Sequence, residues 1–403
     1  MKAIIRKLTV LCLILTVTFC LAGSAQAAGK VSYTLKSGTL TVRGNGAMPS
    51  SMKFKNNAKI KKVVIKNGVT SVSNGAFQKC PNLTKVTIGD SVKNIGKKAF
   101  YNCKKLKTLK IGKNVTTIGD SAFAGTAVKS VTLPKKVNTI GLGVFFNCKN
   151  LKTLTLPGNI KNVTVPDPEE RYPGTPKPRP NNPVFSDTVE TINFSTALNL
   201  DFTPYCFAKN FNVSKNDKKF KSIDGVIYSK DGKTLVRVPE RTELTVADGC
   251  ENFLVDSVLY SKRLGEDSFI NHCTQLTKIT MPASVRKVTK DRPVFGDILL
   301  DSLCPIKFEI RNKSLPMDSI VTLIHAFHWF EDDEDVRFSN KNNAIVTSIV
   351  ENFPDRIQKD ASGLFYITTD GLLLRYLGTT PKPTIPDSVK TIDEEYAIPC
   401  WLE

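Results

Sequence analysis

A line of mostly apolar residues recurs along the first part of the chain at a nearly fixed spacing. Its four copies begin at Val69, Val92, Val115 and Val137, so the period is 23, 23 and then 22 residues. The second copy reads VKNIGKKAFYNCKKLKTLKIGKN, and the positions that vary between copies are mainly Lys, Asn, Thr, Ser and Asp. A fixed period of about 20–50 residues is typical of a solenoid, in which only a stack of repeats can bury the shared apolar face. The pattern therefore predicts parallel stacked coils of about 23 residues.

The kept residues predict how the coils stack. Aligned phenylalanines should lie in one row inside the stack, namely Phe77, Phe100, Phe123 and Phe145. Gly96 and Gly119 should occupy tight corners where a side chain would clash. The alternation in Leu109-Lys110-Ile111 predicts a strand whose outward side chains form two ladders. These ladders are Lys85, Thr108, Ser130, Thr153 and Thr87, Lys110, Thr132, Thr155.

The repeated line, V-x-x-I-G-x-x-A-F-x-x-C-x-x-L-x-x-V-x-I-P, resembles the leucine-rich repeat of the BspA-like bacterial surface proteins. The preceding segment YTLKSGTLTVRGNGAMP (33–49) is similar to the hairpin cap that opens many members of that group, and it reads physically as two alternating strands with turns. The resemblance implies a β-rich leucine-rich-repeat solenoid with an N-terminal hairpin cap and β-hairpin inserts. It also implies contact with host surface or matrix proteins, or with other cells.

The pattern changes beyond residue 165. A segment with seven prolines in eighteen residues, PDPEERYPGTPKPRPNNP, predicts an extended linker or loop, with a proline-rich recognition segment as the alternative. The predicted organisation is a signal peptide (1–27), an N-terminal cap (28–68), the leucine-rich repeat solenoid (69–165), the Pro-rich linker or loop (166–185), irregular repeats with hairpin inserts (186–290), a mixed region of unclear fold (291–358), and a hairpin with a partial terminal repeat (359–403).

Two later segments predict β-hairpins. They are IDGVIYSKDGKTLVRVP (223–239) and SGLFYITTDGLLLRY (362–376), each with an Asp-Gly turn between apolar strands, and VDSVLYSK (255–262) is a candidate third. Repeat fragments return at Phe269 and at Thr384, the first with one extra residue before Cys273. DSIVTLIHAFHWFEDDEDV predicts a helix with Ile320, Leu323, Ile324 and Phe327 on one side, which makes the C-terminal region partly helical.

The N-terminus predicts export. A basic start, an apolar run from Leu8 to Gly23 and the small-residue site Ala25-Gln26-Ala27 form a signal peptide, and no transmembrane helix is expected elsewhere. The protein is therefore expected to be secreted or at the cell surface. Eight of the ten cysteines follow the signal peptide, which by default suggests disulfides in an exported protein. Because Cys80, Cys103 and Cys148 occupy one inward repeat position, we expect buried free thiols instead.

No motif predicts a catalytic residue, a cofactor or a metal. The sharpest metal candidate is His325-x-x-His328 followed by Glu331, but it lacks the glutamate of the H-E-x-x-H motif, and acids at 331–335 fit a solvated turn. A pairing of His272 with Cys273 is not favoured because both occupy a repeat corner. The expected site therefore contains no catalytic residue and no metal.

Charge is distributed unevenly along the chain. Residues 28–165 hold 25 Lys or Arg and two acids, Asp90 and Asp120, whereas residues 166–403 hold 29 basic and 35 acidic residues. The lysines of one coil and its joints form the candidate binding surface: Lys85, Lys97, Lys98, Lys104, Lys105, Lys107, Lys110 and Lys113. They are either a soluble charged coat or a face that attracts polyanions. Nucleic acid is not favoured, because aromatic residues are not interleaved with the lysines.

The sequence thus predicts an exported, non-catalytic binding or adhesion protein. Its expected partners are extracellular or surface proteins, or polyanionic glycans, bound through an extended basic repeat surface. Two alternatives remain: a hydrolase-type enzyme with a site in 291–358, and a structural or assembly component of the cell envelope. Self-association through the C-terminal end belongs to the second, since the last repeat begins just before the chain stops.

Overall fold

The structure is a computed structural model. It describes residues 30–158, 160, 162–164, 188–198, 200, 208–255, 261–263, 269–271, 276–289, 306–326, 339–377 and 384–392. The predicted signal peptide, the whole Pro-rich segment (166–185), His328 and Glu331 lie outside these ranges, as do Cys206, Cys273, Cys304 and Cys400.

The described part of the chain is rich in β-structure and has few helices. The strands of the first half are β1 (Ser32–Lys36), β2 (Thr39–Arg43), β3 (Gly46–Ala47), β4 (Lys62–Ile65), β5 (Val69–Val72), β6 (Lys85–Ile88), β7 (Asn94–Ile95), β8 (Thr108–Lys110), β9 (Thr117–Ile118), β10 (Ser130–Thr132), β11 (Thr139–Gly141), β12 (Thr153–Leu156), β13 (Asn162–Thr164), β14 (Thr191–Phe194) and β15 (Asn210–Asn212).

The second half contains further strands and two helices. They are β16 (Phe220–Ile223), β17 (Val226–Ser229), β18 (Thr234–Arg237), β19 (Glu243–Thr245), β20 (Asn252–Leu254), β21 (Ser261–Arg263), β22 (Phe269–Asn271), β23 (Lys278–Met281), β24 (Lys287–Thr289), β25 (Lys307–Ile310), α1 (Met317–Ala326), α2 (Ser339–Val350), β26 (Ile357–Lys359), β27 (Phe365–Thr368), β28 (Leu372–Tyr376) and β29 (Thr391–Ile392).

Each N-terminal repeat contributes one strand to each of two faces. On the first face the sheet order is β1-β2-β4-β6-β8, and a second sheet with order β10-β12-β14-β15 follows it in the chain. On the other face one sheet runs without interruption in the order β13-β11-β9-β7-β5-β3. Apart from the antiparallel pair β1–β2, these neighbours are parallel. Parallel strands one repeat apart bury the kept apolar residues between the two faces.

The row of phenylalanine rings is the clearest consequence of the repeat. Phe77 and Phe100 stack with centroids 5.0 Å apart, Phe100 and Phe123 follow at 5.4 Å, and Phe145 lies 5.6 Å from Phe123. All four are fully buried, so the predicted row is confirmed. Phe54 extends it by one ring at 5.4 Å from Phe77, which shows that the stack begins one repeat before Val69.

The aligned cysteines form a second row beside the rings. The thiols of Cys80, Cys103 and Cys148 donate to the carbonyl oxygens of Phe54, Phe77 and Phe123 at 3.1, 3.1 and 3.3 Å. Thr126, which replaces cysteine in the third copy, is also buried and lies 3.3 Å from the Cys148 sulfur. Cys80, Cys103 and Cys148 are free and buried, as predicted, and so is Cys250. The small polar group of the repeat position donates a hydrogen bond to a backbone carbonyl of the preceding coil.

The corner glycines and the opening hairpin also agree with the predictions. A Cβ at Gly119 would lie 2.7 Å from the backbone nitrogen of Lys97, so a side chain there would clash. β1 and β2 pair antiparallel around the positive-φ residues Ser37 and Gly38. This hairpin places two strands over the first repeat, where a sheet edge would otherwise be open.

The hairpin segments of the second half are three-stranded meanders. β16, β17 and β18 pair antiparallel in succession, as do β26, β27 and β28. Gly232 and Gly371 have positive φ in the predicted Asp-Gly turns. Most of the third candidate, residues 256–260, lies outside the described residues. The adjoining β21 pairs antiparallel with β22, so Phe269–Asn271 forms a strand and not the turn of the aligned repeats. Parallel repeat strands return in β23, between β19 and β25.

The predicted helix is present as α1, and α2 follows it. Ile320, Leu323 and Ile324 are buried, as expected, whereas Phe327 lies outside the described residues. Polar side chains of both helices bond to strand backbones. The Val288 N–H donates to Ser319 Oγ at 3.0 Å, and the Phe308 and Ile310 N–H groups donate to Ser348 Oγ and Asn352 Oδ1 at 2.7 and 2.9 Å. Because β24 and β25 are the last strands of their sheets, the helices cover sheet edges.

Candidate binding surface

Two of the predicted lysines lie on the outward side of the first face. Lys85 begins β6 and Lys110 ends β8, and both are exposed. Register pairs Lys62 with Lys85 and Thr87 with Lys110, so Lys62 and Lys85 are direct neighbours on adjacent strands. Like charges in such positions repel at a strand spacing of about 4.8 Å. The arrangement concentrates positive charge on this face.

The other predicted lysines are distributed around the repeat. Lys97 and Lys98 follow β7 at one corner, where Lys98 has a positive φ, and the Lys97 ammonium lies 3.2 Å from Asp120 Oδ2. Lys104, Lys105 and Lys107 are exposed before β8, and Lys105 Nζ donates to Asn82 Oδ1 at 3.0 Å. Lys113 follows β8 at the opposite corner. The structure therefore separates these lysines into a face and two corners.

The two acids of this region have a backbone role. Asp90 Oδ1 accepts the Lys113 N–H at 3.0 Å, and Asn67 does the same one repeat earlier for the Asp90 N–H at 2.8 Å. Asp120 Oδ1 accepts the Leu142 N–H at 3.1 Å, which matches the bond from Lys97 N–H to Asn74. The Lys113 N–H, more than its ammonium, holds the pKa of Asp90 below its usual value. Both carboxylates thus replace asparagine at corner positions, and the surrounding surface stays cationic.

The first face is interrupted between β8 and β10. Each strand ends its own sheet there, although β9 remains paired with β7 and β11 on the other face. In neighbouring repeats, the backbone N–H of the residue before the strand donates to the carbonyl oxygen of the equivalent residue one repeat earlier. For example, Lys107 N–H donates to Thr84 O at 3.0 Å. At the interruption the bond runs instead from Ala127 N–H to Leu106 O at 3.0 Å. The two repeats therefore meet out of register on this side only.

Two sequence changes coincide with the interruption. The third copy has one residue fewer between Thr126 and Val128 than the second copy has between Cys103 and Leu106. Pro134 also replaces the aligned Gly112, which packs so closely on the preceding repeat that a Cβ would lie 2.1 Å from Gly89 O. The proline alone does not separate strands, because Pro157 occupies the aligned position in the fourth copy and β12 there stays paired with β10 and β14. The shorter connection is therefore the change that is specific to the interruption.

A cleft of about 690 Å³ occupies the interruption, and we call it the junction cleft. Leu109 and Ile111 of the second repeat are half-buried beside it, whereas the aligned Val86, Ile88, Leu154 and Leu156 are fully buried. Among the described residues, no acidic side chain lines it, and four exposed lysines do: Lys110, Lys113, Lys135 and Lys136. The cleft thus offers apolar contact below and positive charge around it, which suits an amphipathic anionic ligand.

The sequence does not predict the junction cleft. Lys110 and Lys113 are among the predicted surface lysines, but Lys135 and Lys136 are not. Lys136 Nζ donates to Asn114 Oδ1 at 2.7 Å, and both residues line the cleft. The signal that could have located it is the shift of the period from 23 to 22 residues.

Reactive or metal-binding groups do not cluster in the described residues. Among them, no group of three or more His, Cys, Asp or Glu side chains is arranged to hold a metal. Burial raises the pKa of the Cys148 thiol, and it raises the pKa of Cys250 to about 11. These thiols are therefore protonated at neutral pH and are poor nucleophiles.

Comparison with known proteins identifies the repeats. Residues 50–165 match the model of the BspA type Leucine rich repeat region, in six copies. The chain therefore carries a leucine-rich repeat region of the BspA type. Among curated proteins, none matches the sequence significantly. Within the described residues, no helix has the length and apolar character needed to cross a membrane.

Solved structures of bacterial leucine-rich repeat proteins are similar to the chain. A leucine-rich repeat protein from Eubacterium ventriosum is 20% identical, with 70% of each chain covered and a TM-score of 0.39. The pneumococcal vaccine antigen PcpA is 18% identical over 72% of this chain and 70% of its own, with a TM-score of 0.31. A leucine rich cell surface protein from Faecalibacterium prausnitzii is 21% identical over 72% and 76%, also with a TM-score of 0.31.

Proposed function

We propose that this protein is an exported, non-catalytic binding or adhesion protein that recognises host or cell-surface macromolecules through the basic surface of its leucine-rich repeat solenoid. The observation that carries the proposal is the set of outward lysines on β4, β6 and β8, namely Lys62, Lys85 and Lys110, in a region whose only two acids bond to backbone N–H groups. A surface needs far fewer unopposed charges for solubility than the 25 basic residues against two acids in residues 28–165.

The proposed mechanism is the sum of many weak contacts. A solenoid presents outward positions side by side on successive coils, so an extended anionic partner meets lysines from several coils at once. Exposed ion pairs such as Lys97–Asp120 contribute little individually, and the field of the whole face governs attraction instead. Candidate partners are surface proteins with acidic segments and polyanionic glycans.

A salt-dependence experiment on the full chain tests this proposal. Heparin is the probe, and the salt concentration that elutes the protein is the measurement, because exposed charge interactions weaken within a Debye length of about 8–10 Å near physiological salt. The double substitution Lys85→Gln and Lys110→Gln should elute at clearly lower salt than the natural protein. Lys287→Gln with Lys307→Gln is the matched control, since both residues are exposed on strands of the acidic half. Equal shifts for both pairs, or retention that ignores salt, would contradict the proposal.

A further inference from the structure

The junction cleft combines open strand edges with charge and an apolar surface. β8 and β10 each end a sheet on the side that faces the other, although parallel pairing continues through β9 behind them. In a continued parallel ladder, alternate N–H and C=O groups of β8 would bond to β10. A strand edge left open in this way is a template for pairing with another chain.

Side chains next to these edges alternate in character. Leu109 and Ile111 point toward the interior and remain half-buried, whereas Lys110 between them points outward and is exposed. On the opposite side, Thr132 is exposed while the aligned Thr87 and Thr155 are only half-exposed. An added strand would continue both rows, with every second side chain on the apolar surface and the others beside the lysines.

We propose that the junction cleft binds an extended acidic peptide segment, which pairs with the edge of β8 and places alternate carboxylates beside Lys110, Lys113, Lys135 and Lys136. This inference rests on the proposed binding function and names the chemistry of one partner. Strand addition gives affinity through main-chain hydrogen bonds, and alternate side chains give specificity. The lysines select acidic residues, because the described residues that line the cleft include no acidic side chain, and Lys113 has only an exposed ion pair with Asp90 Oδ2 at 3.7 Å. The volume of about 690 Å³ lies in the range of about 300–1,000 Å³ that is usual for ligand pockets.

The peptide is favoured over a sulfated glycan by the strand edges and the apolar surface. A glycan would use the lysines equally well, but it has no regular N–H and C=O pattern to pair with β8. Leu109 and Ile111 would also gain no alternating apolar partner from it. A glycan in the cleft is therefore an outcome that the experiment must be able to detect.

The test uses the full chain and a fluorescein-labelled peptide of alternating valine and aspartate, with binding followed by fluorescence anisotropy. Two control peptides remove one property each: N-methylation of alternate amides blocks strand pairing, and lysine in place of aspartate reverses the charge. We expect binding of the first peptide alone. Lys135→Glu should weaken it at least tenfold, whereas Lys149→Glu, an equal charge change at an exposed corner of the fourth copy, should weaken it less than twofold.

A second variant closes the cleft without changing the charge. Insertion of one asparagine between Ala127 and Val128 restores the 23-residue period, and its folding is checked by circular dichroism. Peptide binding should disappear in this variant while heparin retention persists. If the insertion variant does not fold, the contrast between Lys135→Glu and Lys149→Glu still decides whether the peptide binds in the junction cleft.

Three results would overturn the inference. The first is equal binding of the plain and N-methylated peptides. The second is equal weakening by Lys135→Glu and Lys149→Glu. The third is a heparin tetrasaccharide that binds in place of the peptide and is lost on insertion, which would assign the cleft to a glycan. Salt-independent heparin retention together with normal peptide binding would contradict the proposed basic surface and leave the cleft assignment supported.

Discussion

Two groups of sheet edges in the molecule differ in what covers them. At β24 and β25 the edge N–H groups donate to Ser319, Ser348 and Asn352 of the segment that forms α1, α2 and the turn after it. At β8 and β10 the two edges border the junction cleft instead. The covered edges lie in a half with a small acidic excess, and the open ones lie in a half with 25 basic residues and two acids.

This difference indicates that the covered edges close the sheets, whereas the open edges are available for binding. A solenoid end that stays open invites pairing with other molecules, and helices with hydroxyl and amide side chains prevent it at β24 and β25. The junction cleft leaves the same kind of edge exposed in the middle of the stack, where Lys110, Lys113 and their neighbours select what approaches. The contrast predicts that the covered edges support stability and that the open edges contribute little to it.

The largest expected effect comes from truncating the helix that covers β25. Ile349→Ala removes a fully buried side chain of α2, and buried Ile→Ala changes cost about 2–5 kcal/mol because a cavity remains. Denaturant unfolding followed by circular dichroism measures the loss. Ile111→Ala, at the half-buried edge of the junction cleft, is the matched comparison and should cost less than half as much. A loss at Ile111 equal to that at Ile349 would show that the open edge is a packed core.

A smaller effect is expected at the connection between the two halves. Burial opposes ionisation of Asp217, but N–H bonds from Leu198, Lys219 and Phe220 lower its pKa overall. The Asp217→Asn substitution places an NH₂ group, itself a donor, next to these N–H groups. It should lower the free energy of unfolding by about 1–3 kcal/mol at pH 7.

The pH dependence of stability tests whether the ionised carboxylate of Asp217 stabilises the fold. Because the folded pKa is depressed, the carboxylate stabilises the fold above the unfolded value of about 3.9, and this contribution disappears as pH falls through the folded pKa. Unfolding curves of the natural protein and Asp217→Asn between pH 7 and pH 3 should therefore converge at the acidic end. Asp248→Asn, at an exposed turn, carries the same charge change as a control. A difference that stays constant down to pH 3 would refute the role of ionised Asp217.

The smallest expected effect is the loss of one edge contact. Ser319→Ala removes the acceptor of the Val288 N–H and should cost about 1 kcal/mol. Amide hydrogen exchange at Val288 should accelerate several-fold, toward the rates of Ser130 and Thr132 at the open edge. Thr322→Ala, whose hydroxyl bonds to Asp318 within α1, should leave Val288 unchanged. Unaltered exchange in Ser319→Ala would mean that α1 protects this edge by burial alone.

Features that repeat could be predicted from the sequence, and single events could not. The phenylalanine row, the buried thiols and the Asp-Gly turns each follow from a pattern that packing enforces at every copy. α2 was not predicted, because SNKNNAIVTSIV is rich in asparagine and β-branched residues that favour helices weakly. Its helix depends on burial of Ile345, Val346, Ile349 and Val350 against the strands. The junction cleft depends on a missing residue, whose structural effect requires the neighbouring repeat to be seen.

Because the cleft arises from one missing residue between Thr126 and Val128, it does not depend on the core residues that all the repeats share. A deletion of one corner residue alters one face of a modular array and leaves the other face continuous. Evolution could therefore move, duplicate or erase such a groove by insertions and deletions without redesigning a core. A protein engineer could do the same by transplanting the 22-residue unit to another position in the array.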